Sequence, residues 1–294
     1  MNKMNEKLKF IFFGTPQIAS QTLDILTSCG YIPSIIVTSP DKPAGRGLHL
    51  TPSPVSIWAE KHNIPCLKPE KITPEFIEKL KSPPVGLVAS HQSDWWLDLF
   101  VVVAYGKILP ESLIKTPKLG TINIHYSLLP RWRGASPLEA TLLNGDTVTG
   151  VSIQQMAFKL DSGPILAKEE IPIELNETKE ELKNKLIKLG GDLLCKIIPE
   201  ILENKITPED QDETKVTYCI KIKKEDGQID PSGDPILNWN KYRAFYGWPG
   251  IFFFKNEKRI KITKAKYEND SFIIERVIPE GKKEINYSEL LKQN

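Results

Sequence analysis

Short apolar runs alternate with stretches of helical spacing over the first two-thirds of the chain. The pattern predicts strands at 10–13, 35–38, 100–104, 121–125, 150–156 and 165–173, and helices at 17–28, 54–62, 74–81 and 137–143. Alternation of this kind builds an α/β layer around a mainly parallel sheet. Ligands of such sheets sit at the carboxyl ends of the strands. Four of those ends run into polar loops broken by glycine or proline: GTP after Phe13, SPDKPAGRG after Thr38, YGKILP after Ala104 and HYSLLPRWRG after Ile124. All four are expected to face one crevice.

Residues 178–198 carry Leu182, Leu186, Leu189, Leu193 and Ile197 at three- and four-residue spacing, which predicts a long amphipathic helix. Gly190 and Gly191 interrupt it, for close packing or a kink. The polar ITPEDQDETK (206–215) reads as a linker. Beyond it, VTYCIKI, GIFFFK, RIKITKAKY and SFIIERVI predict short strands of a small antiparallel β domain, a partly closed barrel. The stretch SPPVGLVASHQSDWWLDLF (82–100) fits neither pattern, and its first part reads as an extended insertion before the strand at 100–104.

Composition adds limits. The 294 residues suffice for two domains, and 40% hydrophobic with 26% charged residues is ordinary for a soluble globular chain. A net charge of +2 leaves any basic surface local. The four cysteines, Cys29, Cys66, Cys195 and Cys219, have no C-x-x-C spacing and are expected as isolated core thiols in a reducing compartment. No apolar run approaches the roughly 18 residues of a membrane span. The start MNKMNEKLKFIFFGTP lacks a signal-type apolar core. The expected location is cytoplasmic, or an organelle matrix.

The chemistry concentrates in NIHYSLLPRWRGASP (123–137). Residues two apart in a strand share a face, so the Asn123 amide and the His125 imidazole converge. An amide donor beside an imidazole suits a developing oxyanion on a carbonyl. The plainer alternative is a polar pair capping a strand end. A carboxylate to orient the imidazole is supplied by Asp161 in KLDSGPIL, although Asp before Ser-Gly-Pro is also ordinary turn chemistry. No G-x-S-x-G or activated cysteine is present, which favours direct attack by a substrate nucleophile over a covalent enzyme intermediate. The single glycine of FFGTPQIA and the absence of a P-loop disfavour NAD and ATP, and no histidine spacing suggests a metal site. Lys42 and Arg46 in DKPAGRG, and Arg131 and Arg133 around Trp132, can meet phosphates or a base, or serve as a solvated or packed face. Residues 251–266 hold six lysines and arginines against one glutamate, with Arg259 and Lys261 on one strand face and Ile260 and Ile262 on the other. That is a basic patch for nucleic acid, or a charged edge strand.

Taken in order, GTP, PDKPAGRG, VVVAYGKILP, NIHYSLLPRWRGASP, LDSGPIL and QDETKVTY resemble the methionyl-tRNA formyltransferases, over nearly all of the chain to about residue 250. The resemblance implies a Rossmann-like formyltransferase domain over 1–206 and an OB-like β-barrel domain, tRNA-binding, over 207–294. It implies formyl transfer from 10-formyltetrahydrofolate, a cosubstrate rather than a retained cofactor, to the methionine amine of initiator methionyl-tRNA. Asn123, His125 and Asp161 match the family's catalytic residues. Ser127, Leu128, Leu129 and Pro130 match its folate-holding stretch, and Arg46 matches an acceptor-stem contact. With Lys42, Arg259 and Lys261 these complete the expected tRNA-contacting set. The expected species is a monomer without a membrane or metal. Tyr126 stands where the family often has a small residue, a bulk that can narrow the folate pocket, and the sequence leaves its effect open. Glycinamide ribonucleotide formyltransferase and formyltetrahydrofolate hydrolase would share the three catalytic residues but need neither PDKPAGRG nor a basic β domain. A nucleic-acid-binding module on a degenerate enzyme fold would have no use for the catalytic set.

Overall fold

In the computed structural model, which describes residues 8–44, 49–81 and 97–292, the strand runs of the sequence become one sheet. Its first stretch comprises β1 (Phe10–Gly14), α1 (Gln17–Ser28), β2 (Ile35–Val37), β3 (Lys42–Ala44), β4 (His49–Thr51), α2 (Pro54–Lys61), β5 (Cys66–Leu67) and α3 (Pro74–Lys81). Next come β6 (Leu99–Val103), α4 (Glu111–Ile114), β7 (Thr121–His125), β8 (Arg133–Gly134), α5 (Pro137–Leu143), β9 (Val148–Gln155), β10 (Ile165–Pro172) and α6 (Lys179–Leu202). The chain ends with β11 (Tyr218–Cys219), α7 (Pro235–Ala244), β12 (Ile251–Lys255), β13 (Lys258–Glu268), β14 (Ser271–Pro279), β15 (Ile285–Asn286) and α8 (Tyr287–Leu291).

Seven strands form the sheet in the order β10-β9-β7-β6-β1-β2-β5. β1, β2, β5, β6 and β7 run parallel, and β9 lies antiparallel against β7. FIFF in β1 is apolar at every position because both sheet faces are covered, as parallel sheets require. Ile11 and Phe13 join Phe100, Val102, Ile77, Leu80 and Leu113 in one core cluster. Helix α1 buries Ala19, Thr22, Leu23 and Leu26, one stripe at helical spacing. Ser53 caps α2 by accepting from the Ser56 N–H at 3.0 Å, and Pro54 begins it. Helix α6 runs through its glycine pair, which serves packing: a Cβ on Gly190 would lie 3.1 Å from Ile124, and one on Gly191 would lie 2.7 Å from Ile25.

The described chain gathers into two compact units. One holds the residues up to Pro130 with Val151–Glu169 and Ile187–Thr214; the other holds Arg131–Gly150, Glu170–Leu186 and the chain from Lys215. Within the second, the expected barrel takes the form of a four-stranded antiparallel sheet, β12-β13-β14-β15.

Three expectations change. VTYCIKI is strand only at Tyr218–Cys219, and it pairs in parallel with Arg133–Gly134 rather than with the C-terminal sheet. Helix α7 occupies a region read as strands and loops. Its cap was written in the sequence, since Asp234 accepts from the Ile236 and Leu237 N–H groups ahead of Pro235. Buried positions nearly all round the helix, Asn238, Asn240 and Arg243 among them, left no amphipathic stripe to read. Finally, Cys29 and Cys195 are joined as a disulfide with Cα atoms 6.3 Å apart, whereas Cys66 and Cys219 are thiols. Spacing along the chain could not show that α1 and α6 bring two cysteines 166 positions apart together. The insertion at 82–96 lies outside the described residues. No helix among the described residues is long and apolar enough to cross a membrane.

Candidate active site

Parallel register aligns the carboxyl ends of β2, β1, β6 and β7: Phe13 pairs with Val37, Gly14 with Val103, and Val102 with Asn123. Thr15 ties three of the loops that follow. Its hydroxyl donates to the Tyr105 carbonyl at 3.0 Å and lies 3.2 Å from the Ser39 hydroxyl. Lys107 anchors the YGKILP loop by donating to the Pro69 and Glu70 carbonyls at 2.6 and 2.9 Å. Desolvation, then the nearby Lys42, lowers the Lys107 pKa, and Glu70 opposes them. Gly14 accepts no side chain, since a Cβ there would come within 2.7 Å of Ala19. Its role is strand–helix packing.

At the tip of β7, Asn123 and His125 alternate onto one face, with Gln154 and Ser152 of β9 directly opposite them. His125 is only 5% exposed. Its Nδ1 lies 3.7 Å from Oδ2 of Asp161, so the structure brings the carboxylate to the imidazole. Asp161 has a left-handed backbone, φ 46°, in a loop that curls back from β9. Gly163 is required there: a Cβ would lie 1.7 Å from the Gln155 carbonyl oxygen. An imidazole held by a carboxylate beside an amide donor can stabilise an oxyanion and relay a proton.

SLLP follows one residue later, after Tyr126. Ser127 and Leu129 are each 1% exposed, while Leu128 and Pro130 are part-exposed. The Ser152 hydroxyl donates to the Ser127 carbonyl at 2.8 Å and accepts from the Leu129 N–H at 2.9 Å, which fixes the stretch. Tyr126 is buried with its hydroxyl 3.3 Å from that of Thr22 on α1. It packs against α1, and burial raises its pKa, with the Thr22 hydrogen bond opposing.

RWRG is a packing element. Arg133 is fully buried, and Arg131 reaches Asp146 at 2.6 Å. The Trp132 indole N–H donates to the same carboxylate at 2.9 Å, with the Arg131 guanidinium 4.8 Å over the ring. Arg259 is part-exposed and Lys261 exposed on β13, with Ile260 and Ile262 buried on the other face. Lys42 is exposed in the β3–β4 hairpin, and Arg46 lies outside the described residues. Sequence reasoning missed Gln154 and Gln211. Gln154 Nε2 donates to Asp161 Oδ1 at 3.2 Å, and Gln211 Nε2 donates to the Asp161 and Gly163 carbonyls at 2.9 and 2.7 Å. The polar QDETK run was a signal for Gln211 alone; Gln154 sits inside an otherwise ordinary strand.

Comparison with known proteins follows the same lines. The formyl transferase family matches residues 7–198, and the formyl transferase C-terminal domain matches residues 221–273. The methionyl-tRNA formyltransferase of Geotalea uraniireducens (strain Rf4) is 40% identical over 259 residues, covering 88% of this chain and 79% of that protein. That of Geobacter sulfurreducens is likewise 40% identical over 259 residues, covering 88% and 78%. Among solved structures, an N-formyltransferase from Helicobacter canadensis in complex with folinic acid and dTDP-3-aminofucose superimposes with TM-score 0.65 at 19% identity, over 95% of this chain and 98% of that one. The methionyl-tRNA formyltransferase from Clostridium thermocellum does so with TM-score 0.60 at 16% identity, over 92% and 98%. At these identities the structures speak for the fold, and the sequence relatives for the family: the chain belongs to the formyl transferases, among the methionyl-tRNA formyltransferases.

Proposed function

We propose that this protein transfers the formyl group of 10-formyltetrahydrofolate to the methionine amine of initiator methionyl-tRNA. The observation that carries the reading is the 40% identity to methionyl-tRNA formyltransferases over 88% of the chain. The His125–Asp161 pair at the strand tip supports it.

The amine nitrogen attacks the formyl carbon, and the carbonyl π pair moves onto oxygen. Asn123 donates to that oxyanion, and His125, oriented at Nδ1 by Asp161, presents its other nitrogen to the reacting centre. Collapse re-forms the carbonyl and breaks the bond to the folate nitrogen. The amine gives up one proton and the folate nitrogen gains one, so no net acid or base is consumed. His125 with Asp161 carries that transfer, directly or through water.

Ser127, Leu128, Leu129 and Pro130 wall the folate. Lys42, Arg46, Arg259 and Lys261 meet the tRNA phosphates, supported by the exposed Lys42 and by the outward Arg259–Lys261 face of β13. On this reading residues 1–206 supply the chemistry and 207–294 the tRNA grip, in a cytoplasmic monomer.

The test is formyl transfer to initiator methionyl-tRNA beside glycinamide ribonucleotide and water as rival acceptors. Rapid formylmethionyl-tRNA formation with little turnover of the rivals is expected. Turnover confined to a rival would overturn the acceptor assignment.

A further inference from the structure

We propose that Gln154 and Gln211 are positioning residues for formyl transfer, a two-amide chain that fixes the Asp161 carboxylate plane so that one oxygen faces His125. The inference rests on the formyl-transfer reading and adds two residues to it.

Gln154 lies directly across the ladder from Asn123 and is 1% exposed. A buried amide is costly unless both of its ends are engaged. Its Nε2 donates to Asp161 Oδ1 at 3.2 Å, and its Oε1 lies 3.4 Å from Gln211 Nε2. Reversing the Gln154 amide would set carbonyl oxygen against carboxylate oxygen, and NH2 against NH2. Gln211 cannot reverse in response, because its Nε2 also donates to the Asp161 and Gly163 carbonyls at 2.9 and 2.7 Å. Two carbonyls thus orient Gln211, its Nε2 shares one of its two hydrogens with the Gln154 oxygen, and Gln154 engages Oδ1. Oδ2 is left toward His125 Nδ1 at 3.7 Å.

The same bonds hold the turn. Asp161 has φ 46°, a conformation that non-glycine residues keep only when their surroundings hold it. Gln211 grips the carbonyls on both sides of Ser162. The strap that carries Gln211 is laid along the loop by mutual backbone bonds between Ile165 and Glu209 at 2.7 and 2.9 Å. The stretch that read as a linker is therefore docked against the catalytic loop. A second tie, Lys159 to Glu213 at 3.1 Å, is exposed on both sides and touches neither amide.

Four variants separate orientation from tethering, in steady-state formyl transfer from 10-formyltetrahydrofolate to initiator methionyl-tRNA. Gln211→Ala is expected to lower kcat about 10- to 100-fold with both KM values within about threefold, the scale at which outer-layer hydrogen-bond partners act. Gln154→Glu faces Asp161 with a second carboxylate, with His125 beside the pair and Lys159 and Glu213 on the loop and strap. It is expected to move the acid limb of the kcat–pH profile upward by about one unit. Lys159→Ala, which cuts only the outer tie, is expected to keep kcat within about twofold. The isosteric Gln211→Glu replaces the donor without emptying the site, and should lose as much kcat as Gln211→Ala. The proposal is overturned if Gln211→Ala and Gln211→Glu keep kcat within threefold, if Lys159→Ala loses as much, or if the Gln154→Glu profile does not move. Wild-type protein that formylates no tRNA would overturn the acceptor reading alone. The same variants would then be compared on whichever acceptor it turns over.

Discussion

Nδ1 of His125 and Oδ2 of Asp161 stand 3.7 Å apart, with the two side chains only 6% and 14% exposed. That is too long for a hydrogen bond, yet close enough for the carboxylate to stabilise and orient an imidazolium in a water-poor site. Asp161→Asn keeps the shape and removes the charge, so kcat should fall about 100-fold or more with the KM values little changed. On the proposed mechanism Asn123 is the oxyanion donor, so Asn123→Ala should cost about 3 kcal/mol in the barrier. Steady-state kinetics with circular dichroism as a folding control checks both, and kcat within threefold of wild type in either would remove that residue from the mechanism.

Gly134 joins β8 to β11, and its fit is close. A Cβ would lie 2.1 Å from the Cys219 carbonyl oxygen, and φ is 127°, where side chains are strained. Gly134→Ala should destabilise the fold by about 2 kcal/mol or more and lower the melting temperature by several degrees. An unchanged melting temperature would mean that the pairing of Arg133–Gly134 with Tyr218–Cys219 contributes nothing.

Tyr105 should make stability fall in alkali. Burial pushes its phenol up to about 12, and the hydroxyl finds no hydrogen-bond partner among the described residues. The folded state keeps its proton where the unfolded chain has lost it. The contribution is therefore complete below about pH 10 and drains away between about 10 and 12 as the pH rises. Tyr105→Phe should stabilise the protein by about 1 kcal/mol at neutral pH, by removing an unpaired buried hydroxyl. Its advantage should widen at pH 11, as read from paired thermal melts. An advantage that shrinks there would refute the burial argument.

Thiol titration of the unfolded, unreduced protein should find two reactive groups, Cys66 and Cys219, and four after reduction. A link across 166 positions typically adds about 2–4 kcal/mol. The Cys29→Ser, Cys195→Ser double variant should therefore unfold at lower denaturant. Four thiols without reductant would show the pair to be open.

Arg259 and Lys261 can be told apart from ordinary surface charge by salt. Arg259 lies with its guanidinium 3.9 Å over the Phe252 ring, which pre-orders it for an anion. Replacing either with Ala should raise KM for tRNA and reduce the salt slope of log K by about 1, with kcat for saturating tRNA unchanged. Salt slopes equal to wild type would turn the patch into a charged edge.

The strand tips were legible because apolar runs stop abruptly at polar ones: β7 falls at 121–125 as read, and Asn123 and His125 share a face by alternation alone. Helix α7 was not legible because its buried polar groups find specific partners. Asn238 donates to the Asp230 carbonyl at 2.7 Å, and Arg243 to Asn240 Oδ1 at 2.6 Å, which makes a polar residue indistinguishable from a surface one on paper. Gln154 and Gln211 were hidden for another reason. They meet across 57 positions, and nothing local marks a glutamine whose partner arrives that late.

The single hydroxyl of Ser152, fully buried and bonded to both Ser127 and Leu129, sets limits for anyone reshaping the 127–130 stretch. Leu128 and Pro130 face outward enough to be varied one at a time. Ser152 does not belong to the loop it holds, so a library confined to 127–130 would inherit its geometry unchanged. Exchange for alanine would strand two main-chain groups without water, and exchange for valine would add bulk between them. Only threonine keeps the donor and the acceptor on one oxygen, which makes position 152 a two-letter alphabet beside a stretch whose residues have many.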